Sequence, residues 1–160
     1  MHADTIQLLL DRAQITELVN NVATCADLHD WLGVQQCFAE TITVDYTSLS
    51  GGTPQHTTPQ ALVAGWQSTL NGFAATQHLI TNHRITVEGD TATCLACVQA
   101  THYLPNPPED AFWIVGGYYQ YEIARTPQGW RITNTTLTAT WQRGNSHLPA
   151  LAQHHARSQS

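Results

Sequence analysis

From Thr76 to Trp141 the chain consists almost entirely of long stretches that read as strands, over 76–87, 91–103, 112–125 and 130–141. Runs this long satisfy their backbone N–H and C=O groups only by pairing with one another. Glu88-Gly89-Asp90 and Thr126-Pro127-Gln128-Gly129 are turn sequences that join them as two antiparallel hairpins. The segment from Leu104 to Asp110 carries Pro105, Pro107 and Pro108 and must be a loop between the hairpins, because proline donates nothing to a ladder and restricts its predecessor. Residues 42–46 alternate as well and supply a shorter strand upstream, closed by Gly51-Gly52-Thr53-Pro54.

The part of the chain before this sheet reads as helices. Over 4–27, Ile15, Leu18, Val19, Val22 and Ala26 form one apolar stripe at helical spacing, with Asp4 or Thr5 as cap. Asp30 can cap a short helix over 31–38. Thr58-Pro59 opens a third, in which Leu62, Trp66 and Leu70 recur every four residues and Gly65 costs about 1 kcal/mol relative to alanine. Helices first and an antiparallel sheet afterwards predict an α+β layer arrangement, with the sheet curling and the helices closing one side. There is no internal repeat and no shift in composition. One domain over residues 1–143 is expected, followed by a polar tail over 144–160 with an apolar patch at Leu148, Pro149 and Leu151.

Composition narrows the function classes. Only 11% of residues are charged, against a typical ~25%, so 22 threonines and 14 glutamines must supply much of the polar surface. All six basic residues are arginine, they are scattered, and the net charge is −6. Such a chain repels a phosphate backbone rather than attracting it, which excludes nucleic acid as a partner. No apolar run reaches the ~18 residues of a bilayer span and no leader pattern opens the chain, so a cytoplasmic protein without a membrane partner is expected. Cys25, Cys37, Cys94 and Cys97 are too irregularly spaced for a disulfide scaffold, and alternation puts Cys94 and Cys97 on opposite faces. They read as buried free thiols. There is no His-Glu-x-x-His and no carboxylate cluster, so no metal site is expected. Gly116-Gly117 lies inside a strand rather than before a helix, and no nucleophile elbow is present. Proton transfer is therefore favoured over covalent chemistry.

Alternate residues of a strand share a face. His78, Ile80 and Asn82 fall together, as do Val98, Ala100 and His102, and Tyr118 and Gln120. If those faces point inward, two histidines, an amide and a phenol sit among small aliphatic residues, the composition of a ligand pocket. Asp27 is a second anomaly, because it ends the apolar stripe of the first helix where the dipole opposes an acid. It is either a solvated or capping residue at the helix end or the partner of a base. Histidine is the natural general base near neutral pH, and a carboxylate behind it fixes its tautomer, so a His78–Asp27 pair would be a base with its orienter. His29, His83, His147, His154 and His155 read as surface, turn or tail residues.

Ala26-Asp27-Leu28-His29-Asp30-Trp31, Val44-Asp45-Tyr46, Thr76-Gln77-His78, and Gly129-Trp130-Arg131 with Trp141 together resemble the nuclear transport factor 2-like superfamily, in its SnoaL-like branch with scytalone dehydratase and hexachlorocyclohexane dehydrochlorinase. The resemblance runs from about residue 10 to residue 141. It implies a cone-shaped α+β barrel, in which a strongly curved mixed or antiparallel sheet and about three N-terminal helices enclose a pocket, commonly in trimers or dimers. It also implies proton abstraction and elimination with no cofactor. Carried over by position, His78 looks like the base and Asp27 its partner. Tyr46 falls at a tyrosine that helps hold a water on the substrate carbonyl, and His102 at a second pocket histidine. Gln120 falls at or near a substrate-binding asparagine, and Arg125 is either the counterpart of a dehydrochlorinase arginine or a surface residue at a strand end. With Tyr118 and Asn82 from the parity argument, these are the candidate substrate contacts. Ala26 replaces a tyrosine of scytalone dehydratase, and Val22 a lysine of the dehydrochlorinase. The expected activity is a dehydratase-like lyase acting on a small, largely apolar cyclic substrate. A polyketide cyclase or isomerase using the same base, and a non-catalytic module that binds a small ligand, are the alternatives.

Overall fold

The computed structural model describes residues 2–106 and 108–158. Three helical segments precede the long strands, as the periodicity predicts: α1 (His2–Asp27), α2 (Trp31–Gln36) and, after the single-turn α3 (Thr47–Ser50), α4 (Pro59–Leu70). The stripe of α1 is its buried face, with Ile15, Leu18, Val19, Val22 and Ala26 all in the core. Ile6, Leu8, Leu9 and Leu10 in its first turns remain exposed. Asp30 caps α2 by accepting from the Gly33 amide at 2.9 Å, and Thr58 caps α4 by accepting from the Ala61 amide at 3.3 Å.

The strands are β1 (Phe38–Asp45), β2 (Gln55–Thr57), β3 (Ala75–Glu88), β4 (Thr91–Tyr103), β5 (Phe112–Thr126) and β6 (Gly129–Gly144). They form one sheet in the order β2-β1-β6-β5-β4-β3. β1 runs parallel to β6, and every other pair is antiparallel. β2 and α3 occupy the stretch expected to be only a loop. β2 and β3 are free edges, so the sheet is open, and the barrel implied by the resemblance is not closed by strand pairing. It is completed by helices: α1 touches both β3 and β6, strands three places apart, which requires the sheet to curl around it. Bulges between Thr81 and Arg84 and between Gly116 and Gly117 help it do so, since an extra residue bends the bulged strand.

Side-chain parity follows this sheet closely. On β4 the even residues Ala92, Cys94, Ala96, Val98, Ala100 and His102 are buried while Leu95 and Gln99 are exposed. Cys94 and Cys97 do lie on opposite faces. Among the described residues all four cysteines are free, but only Cys37 and Cys94 are buried, Cys25 and Cys97 being half-exposed.

The segment read as a polar tail is structured. α5 (Leu148–Ser158) buries Leu148 and Ala152 against Phe73 and Leu104 and packs on α4. Gly72 has no room for a side chain, because a Cβ there would collide with the Ala152 carbonyl. The apolar patch at Leu148 and Pro149 was the visible sign of a helix whose other face is polar. No helix among the described residues is long and apolar enough to cross a membrane.

Candidate active site

Asp27 is positioned by how α1 ends. His29 adopts the left-handed conformation (φ 56°), its amide bonds to the Ala26 carbonyl at 3.2 Å, and the Asp30 amide bonds to the Cys25 carbonyl at 2.8 Å. This is the Schellman pattern with histidine in the position glycine usually takes. His29 also stacks on Trp31, with ring centroids 5.3 Å apart. The turn leaves the Asp27 carboxylate aimed at the start of β3. There it accepts from the Thr76 hydroxyl at 2.8 Å and from the His78 amide at 2.7 Å, and it lies 2.7 Å from His78 Nδ1. Burial acts to raise the Asp27 carboxyl, but the side-chain bond and charge of His78, its amide and the Thr76 hydroxyl outweigh it. The acid is held below the usual carboxylate range. An ionised carboxylate only accepts, so the proton of this contact is on His78 Nδ1, and Nε2 is the ring nitrogen on the side away from the acid. The pair is 15% and 18% exposed, which leaves it sheltered but reachable.

His78 opens onto a cavity of about 200 Å³ between α1, α4 and the concave face of the sheet. Its wall is apolar and aromatic, with Val22, Ala26, Trp66, Ile80, Trp113 and Leu137 among its residues. His102 lies on the same wall, edge-on to His78 with ring centroids 5.4 Å apart. Its Nδ1 lies 3.2 Å from the Trp113 carbonyl. A carbonyl cannot donate, so Nδ1–H gives that bond and Nε2 is an acceptor. Burial, then the neighbouring charge of His78, pushes His102 down to about 4. It is neutral at neutral pH, suited to accepting a bond from a substrate hydroxyl and unsuited to protonating one. Tyr46 lies on the wall too, and burial above all holds its phenol well above the ordinary value, so it remains a donor.

The structure therefore brings together Asp27, His78, His102 and Tyr46 and leaves the other four candidates outside. Tyr118 and Gln120 are exposed on the convex face. Val98, Ala100 and His102 pair directly with Gly117, Val115 and Trp113, so the odd residues of β5 share the pocket face. Asn82 sits at the bulge of β3 with φ 57°, turned outward with its amide 3.5 Å from Cys97 Sγ. That bulge shifts the parity, so His83, Ile85 and Val87 face the helix side beyond it. His83 is consequently half-buried, 3.0 Å from Asn20 Oδ1, rather than a surface residue. Arg125 grips Asp11 with two bonds of 2.9 Å and Asp90 with a third, and lies over the Trp130 ring at 4.2 Å. It fastens α1 to the far end of the sheet.

Tyr119, Tyr121, Trp66, Trp113 and Thr135 line the cavity without having been candidates. A signal for β5 was present: Trp113, Val115, Tyr119, Tyr121 and Ile123 are the apolar and aromatic parity, whereas the opposite parity includes Gln120 and Glu122. Among the described residues no group of three or more His, Cys, Asp or Glu side chains could hold a metal.

Comparison with known proteins gives the same fold. The SnoaL-like domain family model matches residues 7–136. Protein Rv2910c of Mycobacterium tuberculosis H37Rv is 26% identical over 135 residues, covering 83% of this chain and 88% of its own. The crystal structure of the Kfla4162 protein from Kribbella flavida superposes with a TM-score of 0.82 at 32% identity, over 94% of this chain and 99% of that one. Hexachlorocyclohexane dehydrochlorinase LinA-type3 from Novosphingobium barchaimii superposes at 0.74 with 14% identity, over 89% and 94% of the two chains, a likeness of fold alone.

Proposed function

The chain belongs to the SnoaL-like domain family of the nuclear transport factor 2-like superfamily, and from that premise we propose that it is a lyase that eliminates water, or a comparable leaving group, from a small, neutral, largely apolar ring compound. The observation that carries this reading is the 2.7 Å contact between His78 Nδ1 and Asp27 beside an apolar cavity. It leaves Nε2 of His78 as a free base with a carboxylate behind it to stabilise the imidazolium. His78 takes a proton from the carbon next to a carbonyl, and the electron pair of that C–H bond moves into an enolate. Collapse of the enolate forms the C=C bond and expels the hydroxyl, which leaves as water with the proton His78 had taken. Hydroxyl groups on the cavity wall, Tyr46 among them, donate to the oxygen on which charge develops. His102 accepts from the departing hydroxyl before it leaves and so orients it.

A neutral substrate is favoured because, among the described residues, the wall presents no arginine or lysine to a carboxylate or phosphate, and Asp27, the acid behind His78, is already engaged three times over. Screening hydroxylated and halogenated cyclic ketones for loss of water or acid by mass tests the reading. Elimination abolished in His78→Ala supports it. Turnover of a screened substrate without a change of mass moves the assignment to isomerisation or cyclisation, and His78→Ala with full activity removes the base altogether.

A further inference from the structure

The donors to the Asp27 carboxylate come from one short stretch of β3. The Thr76 hydroxyl lies 2.8 Å from Oδ1, the His78 amide 2.7 Å from Oδ2, and the His78 imidazole Nδ1 2.7 Å from Oδ1. Thr76 and His78 share a face of the strand because they stand two positions apart, about 7 Å along it, while Gln77 between them is exposed. An ionised carboxylate only accepts, so the Thr76 hydroxyl donates. His78 lines the cavity and Thr76 stands behind the wall, so the hydroxyl can act on a ligand only through Asp27 and His78.

Oδ1 therefore accepts from the hydroxyl and from the ring at once. A carboxylate that already accepts other strong bonds holds its charge more firmly and is a weaker partner for a neighbouring cation. Of the three donors, the hydroxyl is the one that a substitution removes without touching His78. The titratable groups that face the imidazole from the elements packed around it are Asp27 on α1 and His102 on β4, and the phenols of Tyr46, Tyr119 and Tyr121 share the same wall. Burial above all keeps those phenols protonated at neutral pH. His102, pushed down to about 4 by burial and then by the charge of His78, is neutral there too. Among the described residues α4 and α5 bring no titratable group to the wall.

We propose that Thr76 is a positioning residue for the base: its hydroxyl fixes which carboxylate oxygen faces the imidazole and, by drawing on the charge of that oxygen, sets how far the pH can fall before His78 is protonated and stops accepting protons. The proposal rests on the reading of His78 as the base. Its sign separates it from a mere tether. If the hydroxyl only held the carboxylate in place, its loss would loosen the contact with the ring, and protonation of His78 would retreat to lower pH. If the hydroxyl draws on the charge of Oδ1, its loss leaves that oxygen a stronger partner for the imidazolium, and protonation advances to higher pH.

The test follows His78 itself and needs no substrate. Protein labelled with 15N-histidine is titrated from about pH 5 to about pH 9, the range in which histidine changes charge, and long-range proton–nitrogen spectra read both ring nitrogens. The His78 signals are those absent from His78→Ala. Thr76→Val keeps the shape and β-branching of threonine. It is expected to move the His78 midpoint up by about half a pH unit or more, roughly threefold in the ionisation constant, for loss of a bond to a charged group that is only partly passed on to the ring. Thr76→Ser keeps a hydroxyl and is expected to stay with the wild type. A midpoint in Thr76→Val that stays put or falls overturns the proposal, as does a Thr76→Ser that moves as far as Thr76→Val. Should Thr76→Val fold poorly, Thr76→Ala removes the hydroxyl without placing a methyl against the acid and is held to the same sign. With a substrate in hand, the acid limb of its kcat/KM profile should move together with the midpoint. Failure of this proposal and failure of the reading it rests on look different. Full elimination in His78→Ala overturns the base while the upward midpoint in Thr76→Val stands. An inactive His78→Ala with an unmoved midpoint in Thr76→Val keeps the base and overturns the role of Thr76.

Discussion

One carboxylate holds His78 twice: Asp27 Oδ1 lies 2.7 Å from the imidazole Nδ1, and Oδ2 accepts from the backbone amide of the same residue, also at 2.7 Å. The end of α1 and the start of β3 are thereby joined at His78. The ring cannot rotate away without leaving the carboxylate, and the carboxylate cannot withdraw without releasing the strand.

Asp27→Asn separates the two roles. Asparagine keeps an oxygen for the amide or the threonine, but it cannot stabilise an imidazolium as a carboxylate does, and its NH2 facing Nδ1 favours the wrong tautomer. Turnover should fall by about 10² to 10⁴, the span of a general base term, with ligand affinity nearly retained. Asp27→Ala should in addition lower stability by about 2–4 kcal/mol, for hydrogen bonds lost from a partly buried site. Steady-state kinetics and denaturant melts of the two variants check this, and an active Asp27→Asn would remove the pair from the mechanism.

His102 predicts how stability depends on pH. Its folded value of about 4 lies below the ordinary 6.5, so between those values the unfolded chain binds a proton that the folded chain refuses. Stability then rises with pH across the window and is lost as pH falls from 6.5 towards 4, by up to about 3 kcal/mol from this residue. His83, lowered by burial, acts in the same direction. Asp27 and Asp11 are held below their ordinary value of 3.8, so their contribution is lost only under more acid conditions. Urea melts at pH 7 and pH 4.5 should show a smaller drop for His102→Gln than for the wild type. Equal drops would mean that the burial of His102 does not govern its titration.

Arg125 tests the correction to the candidate substrate contacts. Its bidentate partner Asp11 is 3% exposed and also accepts from the Trp130 indole at 3.1 Å. Arg125→Met strands that carboxylate and should cost about 2 kcal/mol of stability, while binding of a pocket ligand stays as in the wild type. A variant that melts normally yet loses ligand would restore Arg125 to the site.

The parts of this molecule that were readable in the sequence share a cause. The stripe of α1, the caps at Asp30 and Thr58, the turns at Gly89 and Gly129 and the contact of Asp27 with His78 are set by local pattern or by a residue out of place on a buried face. What could not be read depends on pairing between distant segments. Asn82 entered the candidate set because strict alternation was carried through a bulge, and a bulge inserts a residue without any mark in the hydrophobic pattern. Tyr118 and Gln120 followed from choosing the wrong face of β5, although Tyr119, Tyr121 and Ile123 lay on the other. α3 and β2 are too short for any periodicity to announce them. Arg125 needed a partner 114 positions away to explain it.

The C-terminal helix gives the last prediction. Leu148 is completely buried with Phe73, Leu104 and Ala152, and the next residue, Pro149, lines the cavity. Gln153 adds a bond to the Thr69 hydroxyl on α4 at 3.0 Å. Gly72 meets the Ala152 backbone too closely for any side chain, and backbone cannot swing aside as a side-chain tip would. Leu148→Ala should therefore cost about 2–5 kcal/mol if α5 folds as one unit with the domain. If α5 detaches on its own, Gly72→Ala should instead leave the melt of the body intact and expose α5 to proteolysis. In that second case the wall near Pro149 is lost and ligand affinity falls, which limited proteolysis and titration of an apolar ligand such as 4-nitrotoluene would read. Wild-type affinity in a chain ending at Gly144 would mean that α5 is packed against the pocket without forming part of it.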